Sequence, residues 1–174
     1  MYPIQYFLAK VKYKLRHNDI EVMNDYFRKA GMKIGKGCNI CCNIMNTEPY
    51  LISIGEHVTI SGGVSLITHD NSISKVMKDK TDFVGPITIG NNCFVGANTT
   101  ILLGVELADN VIVAAGSVVT KSFLEKDIII GGNPAKKIGT WDKFREKYAD
   151  TAVFLNGLSP EDRKKEILAH QMHK

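Results

Sequence analysis

Written in sixes from Ile89, the chain repeats. Ile89, Val95, Ile101, Leu107, Val113 and Val119 lead six consecutive blocks, and every one is a branched aliphatic residue. The same phase runs upstream through Ile54, Ile60 and Leu66 and, in a separate block, Ile34 and Ile40. A small residue often follows the lead position, as at Gly35, Gly55, Ser61, Gly90, Gly96, Ala108 and Ala114. Six residues are too few for a helix–strand pair, so each unit predicts one short strand and a corner. The lead residue and the residue four later (Val58, Val64, Cys93, Thr99, Val105, Val111) point inward, while the small, Gly, Asn and Asp positions take the bend. Such strands stack as a parallel β-helix, a solenoid in which each coil pairs its backbone with the next. Spacing alone leaves its hand open.

The pattern breaks in three places. Between Asp70 and Gly85 the residues Ser72, Lys75, Lys78, Asp79, Lys80 and Asp82 carry no six-residue phase, which predicts an excursion loop over about residues 70–85. A loop of this length on a compact solenoid is more often functional than accidental. At the start, Ile4, Phe7, Leu8, Val11 and Leu15 form one helical stripe and Met23, Phe27 and Ala30 another, the second helix capped by Asn18 or Asp19. Both are expected to pack over the open end of the coil, with contact between the lysine-bearing first helix and a membrane surface as the less common use. At the far end Trp141 to Tyr148 reads as a helix, and Ser159-Pro160-Glu161-Asp162 opens another. The expected division is a helical segment over residues 1–33, the β-helix over 34–138 and a helical tail over 139–174.

Composition narrows the function classes. The chain has 174 residues, 44% hydrophobic and 23% charged, long enough to bury a core without disulfides or a structural metal. A net charge of +4 fits a moderately anionic ligand and not a nucleic-acid binder. No apolar run approaches a membrane span, and the first twenty residues mix Lys10, Lys12, Lys14 and Arg16 among apolar positions, so a cytoplasmic protein is expected. Cys38 and Cys41 form a C-x-x-C, yet a zinc ribbon needs a second pair and only Cys42 and Cys93 remain. Cys38 and Cys93 both fall four after a lead position, which makes them core residues of the coil.

Order and spacing together resemble the hexapeptide-repeat acyltransferases, the left-handed β-helix family that includes galactoside, maltose and capsular-polysaccharide O-acetyltransferases. The resemblance covers about residues 34–138. It rests on Ile54-Gly55 through Thr68-His69-Asp70, on Ile87-Thr88-Ile89-Gly90-Asn91-Asn92, on Ala114-Ala115-Gly116-Ser117-Val118-Val119-Thr120-Lys121 and on Gly132-Asn133-Pro134-Ala135-Lys136. The resemblance implies a left-handed coil, a homotrimer with sites between subunits, and acetyl-CoA as co-substrate with no metal. It places His69 at the family's catalytic histidine. Imidazole suits the task, because a hydroxyl must lose its proton as it attacks a thioester and an unperturbed imidazole titrates near pH 6.5. By the same resemblance Ala97, Ala115 and Gly116 line the coenzyme, and Thr120, Lys121 and Lys136 meet its nucleotide end. Relatives often carry Arg where Lys136 stands, so here a point charge replaces a bidentate fork. His17, His57, His170 and His173 match no motif.

The expected activity is transfer of acetyl to a sugar hydroxyl in surface-polysaccharide or glycoconjugate synthesis. The segment Asn46-Thr47-Glu48-Pro49-Tyr50-Leu51 resembles the polysaccharide-associated branch. Glu48 and Asp70 are the candidates for orienting His69. N-acetylation of an amino sugar and a catalytically silent scaffold are the alternatives. A γ-type carbonic anhydrase shares the coil but needs three zinc-binding histidines, and the repeat region holds only His57 and His69.

Overall fold

The computed structural model describes residues 2–171. The chain divides after Thr140 into two compact units. The first opens with α1 (Tyr2–Leu15) and α2 (Ile20–Lys29) and continues as short strands: β1 (Lys33–Ile34), β2 (Asn39–Ile40), β3 (Ile52–Ile54), β4 (Thr59–Ile60) and β5 (Ser65–Leu66). After β6 (His69–Asp70) and β7 (Phe83–Val84) come β8 (Ile87–Ile89), β9 (Phe94–Val95), β10 (Thr100–Ile101), β11 (Glu106–Leu107), β12 (Ile112–Val113) and β13 (Val118–Val119). The longer strands β14 (Ile128–Gly132) and β15 (Ala135–Thr140) close the unit.

The repeat phase becomes three parallel sheets visited in rotation. One sheet runs β1-β3-β8-β11, the second contains β2-β4-β9-β12-β14, and the third is β5-β10-β13. Register stacks the lead residues on one another: Ile34, Ile54, Ile89 and Leu107 in the first sheet, Ile40, Ile60, Val95, Val113 and Ile130 in the second, Leu66, Ile101 and Val119 in the third. All of these are buried, as are Val58, Val64, Cys93, Thr99, Val105 and Val111 four positions after a lead. Three ladders of branched side chains therefore fill the interior, and like stacks on like because neighbouring coils share one register. Cys38 and Cys93 sit inside it, with burial pushing both thiols up from their ordinary value.

Two features depart from the expected coil. The excursion is anchored by an antiparallel pairing of β6 with β7, His69 opposite Val84 and Asp70 opposite Phe83. The coil ends in an antiparallel hairpin of β14 with β15 that carries Ala135 and Lys136 back along the second sheet to Thr140.

At the other end α2 is fastened by polar contacts as well as by buried Met23 and Phe27. Asp19, one of the two expected caps, accepts from the Glu21 amide at 3.0 Å. Glu21 Oε1 accepts from the Gly37 amide at 2.9 Å, and Arg28 donates to the carbonyls of Ile34 and Gly35 at 2.8 and 2.7 Å. The stripe on α1 behaves differently from the expectation. Ile4, Phe7, Leu8, Val11 and Leu15 are exposed, and the opposite face, Tyr6, Ala9 and Tyr13, packs on the core. Tyr6 meets the edge of Tyr26 at 5.7 Å between centroids, a contact that buries aromatic surface.

The second unit contains α3 (Trp141–Tyr148) and α4 (Pro160–Gln171), with the Ser159 hydroxyl accepting from the Asp162 amide at 3.1 Å as the cap of α4. Among the described residues no helix is long and apolar enough to cross a membrane.

Candidate active site

His69 stands where the third sheet gives way to the excursion. Thr68, the last residue of the coil before the excursion, is buried, and its carbonyl accepts from the Gly85 amide at 3.0 Å, so the loop leaves and returns at one point. That closure fixes the backbone of His69 in β6 while its side chain stays 43% exposed. Glu48 reaches it from the segment before β3. Its Oε2 lies 2.8 Å from His69 Nδ1 and accepts from the Thr68 hydroxyl, also at 2.8 Å. Thr47 Oγ1 is 3.3 Å from the same ring nitrogen. Asn46 Nδ2 donates to Thr68 Oγ1 at 3.0 Å and to the Leu66 carbonyl at 3.3 Å, holding the segment against the coil.

The electrostatics assign the tautomer. Hydrogen bonds from Thr47 and Thr68, and after them the imidazole, hold the Glu48 carboxyl below its ordinary value. A carboxylate only accepts, so the proton between it and the ring belongs to Nδ1 and the neutral ring presents the Nε2 lone pair outward. Asp70, the other candidate for this role, is turned away and accepts from the Ser72 amide at 2.7 Å. That bond lowers its pKa, and it shapes the turn after β6 instead of the ring.

The residues expected to meet a coenzyme divide between two edges of the coil, both bordering the sheet β5-β10-β13. Thr120 and Lys121 follow β13 on the edge from which His69 departs; both are exposed, and Lys121 Nζ lies 5.7 Å from the Phe123 ring centre. Ala97, Ala115 and Gly116 lie on the other edge. There the Gly116 amide donates to the Ala97 carbonyl at 2.8 Å, and Gly116 takes φ 70°, with open space where a Cβ would stand. Lys136 is exposed on β15 opposite Gly131, so it belongs with this second edge. The structure thus brings Ala97, Ala115 and Gly116 together, and it does not bring them to His69.

Thr47, Thr68 and Asn46 are polar partners that the reading of motifs passed over. For Asn46 and Thr47 the signal was the run of polar residues at 46–48, which interrupts the aliphatic phase just before Ile54, and for Thr68 its place beside His69 at the junction. Cys38 points into the core and Cys41 is exposed, so the C-x-x-C does not converge. Among the described residues no group of three His, Cys, Asp or Glu side chains could hold a metal ion. His173 lies outside the described residues.

Comparison with known proteins gives a consistent picture. The profile described as hexapeptide repeat of succinyl-transferase matches residues 86–121. Protein CapG of Staphylococcus aureus is 41% identical over 145 residues, which span 80% of this chain and 84% of that protein. The galactoside O-acetyltransferase of Escherichia coli strain K12 is 29% identical over 110 residues, 63% of this chain and 54% of the relative. Among solved structures, a hexapeptide-repeat acetyltransferase of Vibrio cholerae complexed with acetyl coenzyme A superposes with a TM-score of 0.54 at 26% identity, covering 64% of this chain and 61% of that one. A galactoside acetyltransferase in complex with coenzyme A superposes with a TM-score of 0.58 at 23% identity, covering 83% and 84%, and so shares the fold.

Proposed function

The chain belongs to the hexapeptide-repeat acyltransferase family, and on that premise we propose that it is a coenzyme A-dependent O-acetyltransferase acting on a sugar hydroxyl. The coil is left-handed in this reading, as in the family. The observation that carries the chemistry is the 2.8 Å contact between Glu48 Oε2 and His69 Nδ1. It leaves Nε2 free to take the acceptor's proton.

Acetyl-CoA supplies an acyl group already activated as a thioester. As the hydroxyl oxygen bonds to the acyl carbon, Nε2 of His69 removes its proton, and Glu48 stabilises the imidazolium that forms. When the C–S bond breaks, the electron pair leaves with the coenzyme A sulfur, and the imidazolium returns the proton to it. The ring is then neutral again and no covalent acyl-enzyme is needed. A positioned base of this kind contributes about 10²–10⁴-fold.

The second edge fits a coenzyme by its shape. A glycine facing open space beside two exposed or half-exposed alanines lets a ligand approach main-chain groups, and Lys136 on this edge, with Lys121 on the His69 edge, offers a point charge to phosphates. Because that edge and His69 border opposite sides of one sheet, the reading includes a homotrimer in which one subunit's His69 works with a neighbour's small-residue edge. A sugar on a surface polysaccharide or glycoconjugate is the acceptor class.

The experiment is thiol release from acetyl-CoA against a panel of nucleotide sugars and glycans, run with wild type and His69→Ala. Acceptor-dependent release that disappears in the variant supports the proposal. Release that persists unchanged removes His69 as the base, and release with amino sugars alone moves the reaction to nitrogen.

A further inference from the structure

The exposed stripe of α1 is set in an unusual charge environment. Ile4, Phe7, Leu8, Val11 and Leu15 recur at three- and four-residue spacing and so share one face. The face that packs on the core, Tyr6, Ala9 and Tyr13, lies opposite. The stripe is thus the outward ridge of a helix whose inner side is already satisfied. Lys12, Lys14 and Arg16 are exposed, and by helical position Lys12 and Lys14 fall on the two flanks of the ridge. Lys10 is turned inward over the rings of Tyr6 and Tyr13, at 5.6 and 5.5 Å. α1 contains no acid, and the first acid after it, Asp19, is occupied in capping α2. The rest of the chain balances, with 18 basic and 18 acidic residues, so the whole net charge of +4 resides on this helix and Arg16 beside it.

We propose that the outward face of α1 docks on an anionic lipid surface. Charge complementarity selects this occupant. A ridge of aliphatic and aromatic side chains flanked by lysines matches the boundary of a bilayer, where the apolar side chains enter the acyl region and the lysine stems reach back to anionic head groups. A second copy of the helix is a poor match: pairing α1 with α1 would bring Lys12, Lys14 and Arg16 against their own copies with no acid to compensate. A helix of 14 residues with this outline lies in the interface plane and does not cross it. The proposal is independent of the acyl-transfer reading, since it uses none of the residues placed there.

The test is co-sedimentation of the full chain with vesicles of phosphatidylcholine alone and of phosphatidylcholine mixed with phosphatidylglycerol, at low and high salt. The wild type is expected to bind the mixed vesicles at low salt, to release at high salt and to ignore the neutral ones. Lys12→Gln with Lys14→Gln is expected to weaken partitioning by more than tenfold, at about fivefold per lysine near an anionic surface. Leu8→Ser with Val11→Ser is expected to remove it, with the thermal midpoint unchanged because both side chains are solvent-facing. Failure to bind, equal binding to neutral vesicles, or binding unaffected by both variants overturns the proposal. So does a drop in particle mass of the Leu8→Ser, Val11→Ser variant by light scattering without lipid, which would assign the ridge to a contact between copies.

Discussion

Glu48 Oε2 is shared between His69 Nδ1 and the Thr68 hydroxyl, each at 2.8 Å, so one carboxylate oxygen ties the imidazole to the buried residue at which the coil gives way to the excursion. The ring is therefore aimed by the solenoid and not by the loop it begins. Its free nitrogen has a fixed direction, which is the condition for a general base to act faster than solvent.

Replacing His69 by alanine removes the proposed base and leaves the proposed coenzyme edge, Ala97, Ala115 and Gly116, untouched. The expected outcome is a fall in kcat of about a hundredfold or more with the KM for acetyl-CoA nearly unchanged. Steady-state kinetics at saturating acceptor measure it. A loss confined to KM would place His69 in binding.

The orienting chain predicts a graded series. Glu48→Gln keeps an acceptor near Nδ1 and deletes the charge that stabilises imidazolium, so kcat should fall by about tenfold or more, within the 10²–10⁴ range of the base itself. Thr68→Val leaves the carboxylate on the ring and costs it one donor, while Asn46 loses an acceptor. Its effect on kcat should be the smallest of the three. A Thr68→Val variant slower than Glu48→Gln would show that the hydroxyl, and not the charge, holds the ring.

Legibility in the sequence followed the range of the interaction. The ladders were readable because a lead residue every six positions is a local pattern, and coil stacking repeats it without change. The His69 junction was readable for the same reason, as the point where the phase stops. The choice between Glu48 and Asp70 was not, since it depends on which residues one turn of coil brings alongside position 69. Asp70 is adjacent in sequence yet bonded to Ser72, while Glu48 arrives from a different coil. The orientation of α1 was hidden by its two faces: an apolar stripe gives the helix its period, but the face on the core is Tyr6, Ala9 and Tyr13, with Tyr6 against the rings of Tyr26 and Phe27.

The α2 clamp gives a pH prediction. Burial would raise the Glu21 carboxyl, but the Gly37 amide, Arg28 and Asn24 outweigh it, and the folded-state pKa is lowered. A carboxyl whose pKa is lower folded than unfolded contributes stability above its unfolded value, and the contribution is lost as pH falls through the folded value. Glu21→Gln should therefore melt lower than wild type at pH 7, by roughly one to a few degrees, and the two curves should converge as pH falls through the lowered folded-state value of the carboxyl. Thermal melts between pH 3 and 8 test it, and a difference that widens in acid would reverse the sign of the argument.

Gly96 and Gly116 both belong to the edge proposed for coenzyme, and they should fail in different ways when given a methyl group. A Cβ on Gly96 would lie 2.5 Å from the Ala115 amide nitrogen and 2.8 Å from the Val113 carbonyl oxygen. Both are backbone atoms of the next coil, pinned by the Gly96 amide to Val113 and by the Ala114 amide to Ile130 at 2.9 Å each. The coil cannot give without opening its ladder, so Gly96→Ala is expected to cost several kcal/mol, on the order of an overpacked core at its upper end, about 3 kcal/mol. Gly116 faces no obstacle outward, and its φ of 70° charges an alanine only the left-handed penalty of about 1–2 kcal/mol. The methyl would stand where a bound ligand would approach the backbone. Gly116→Ala should accordingly retain most of its stability and raise the KM for acetyl-CoA, whereas Gly96→Ala should lose stability first and activity only as a consequence. Urea unfolding read beside KM separates the two. A Gly116→Ala enzyme with unaltered KM would move the coenzyme off this edge.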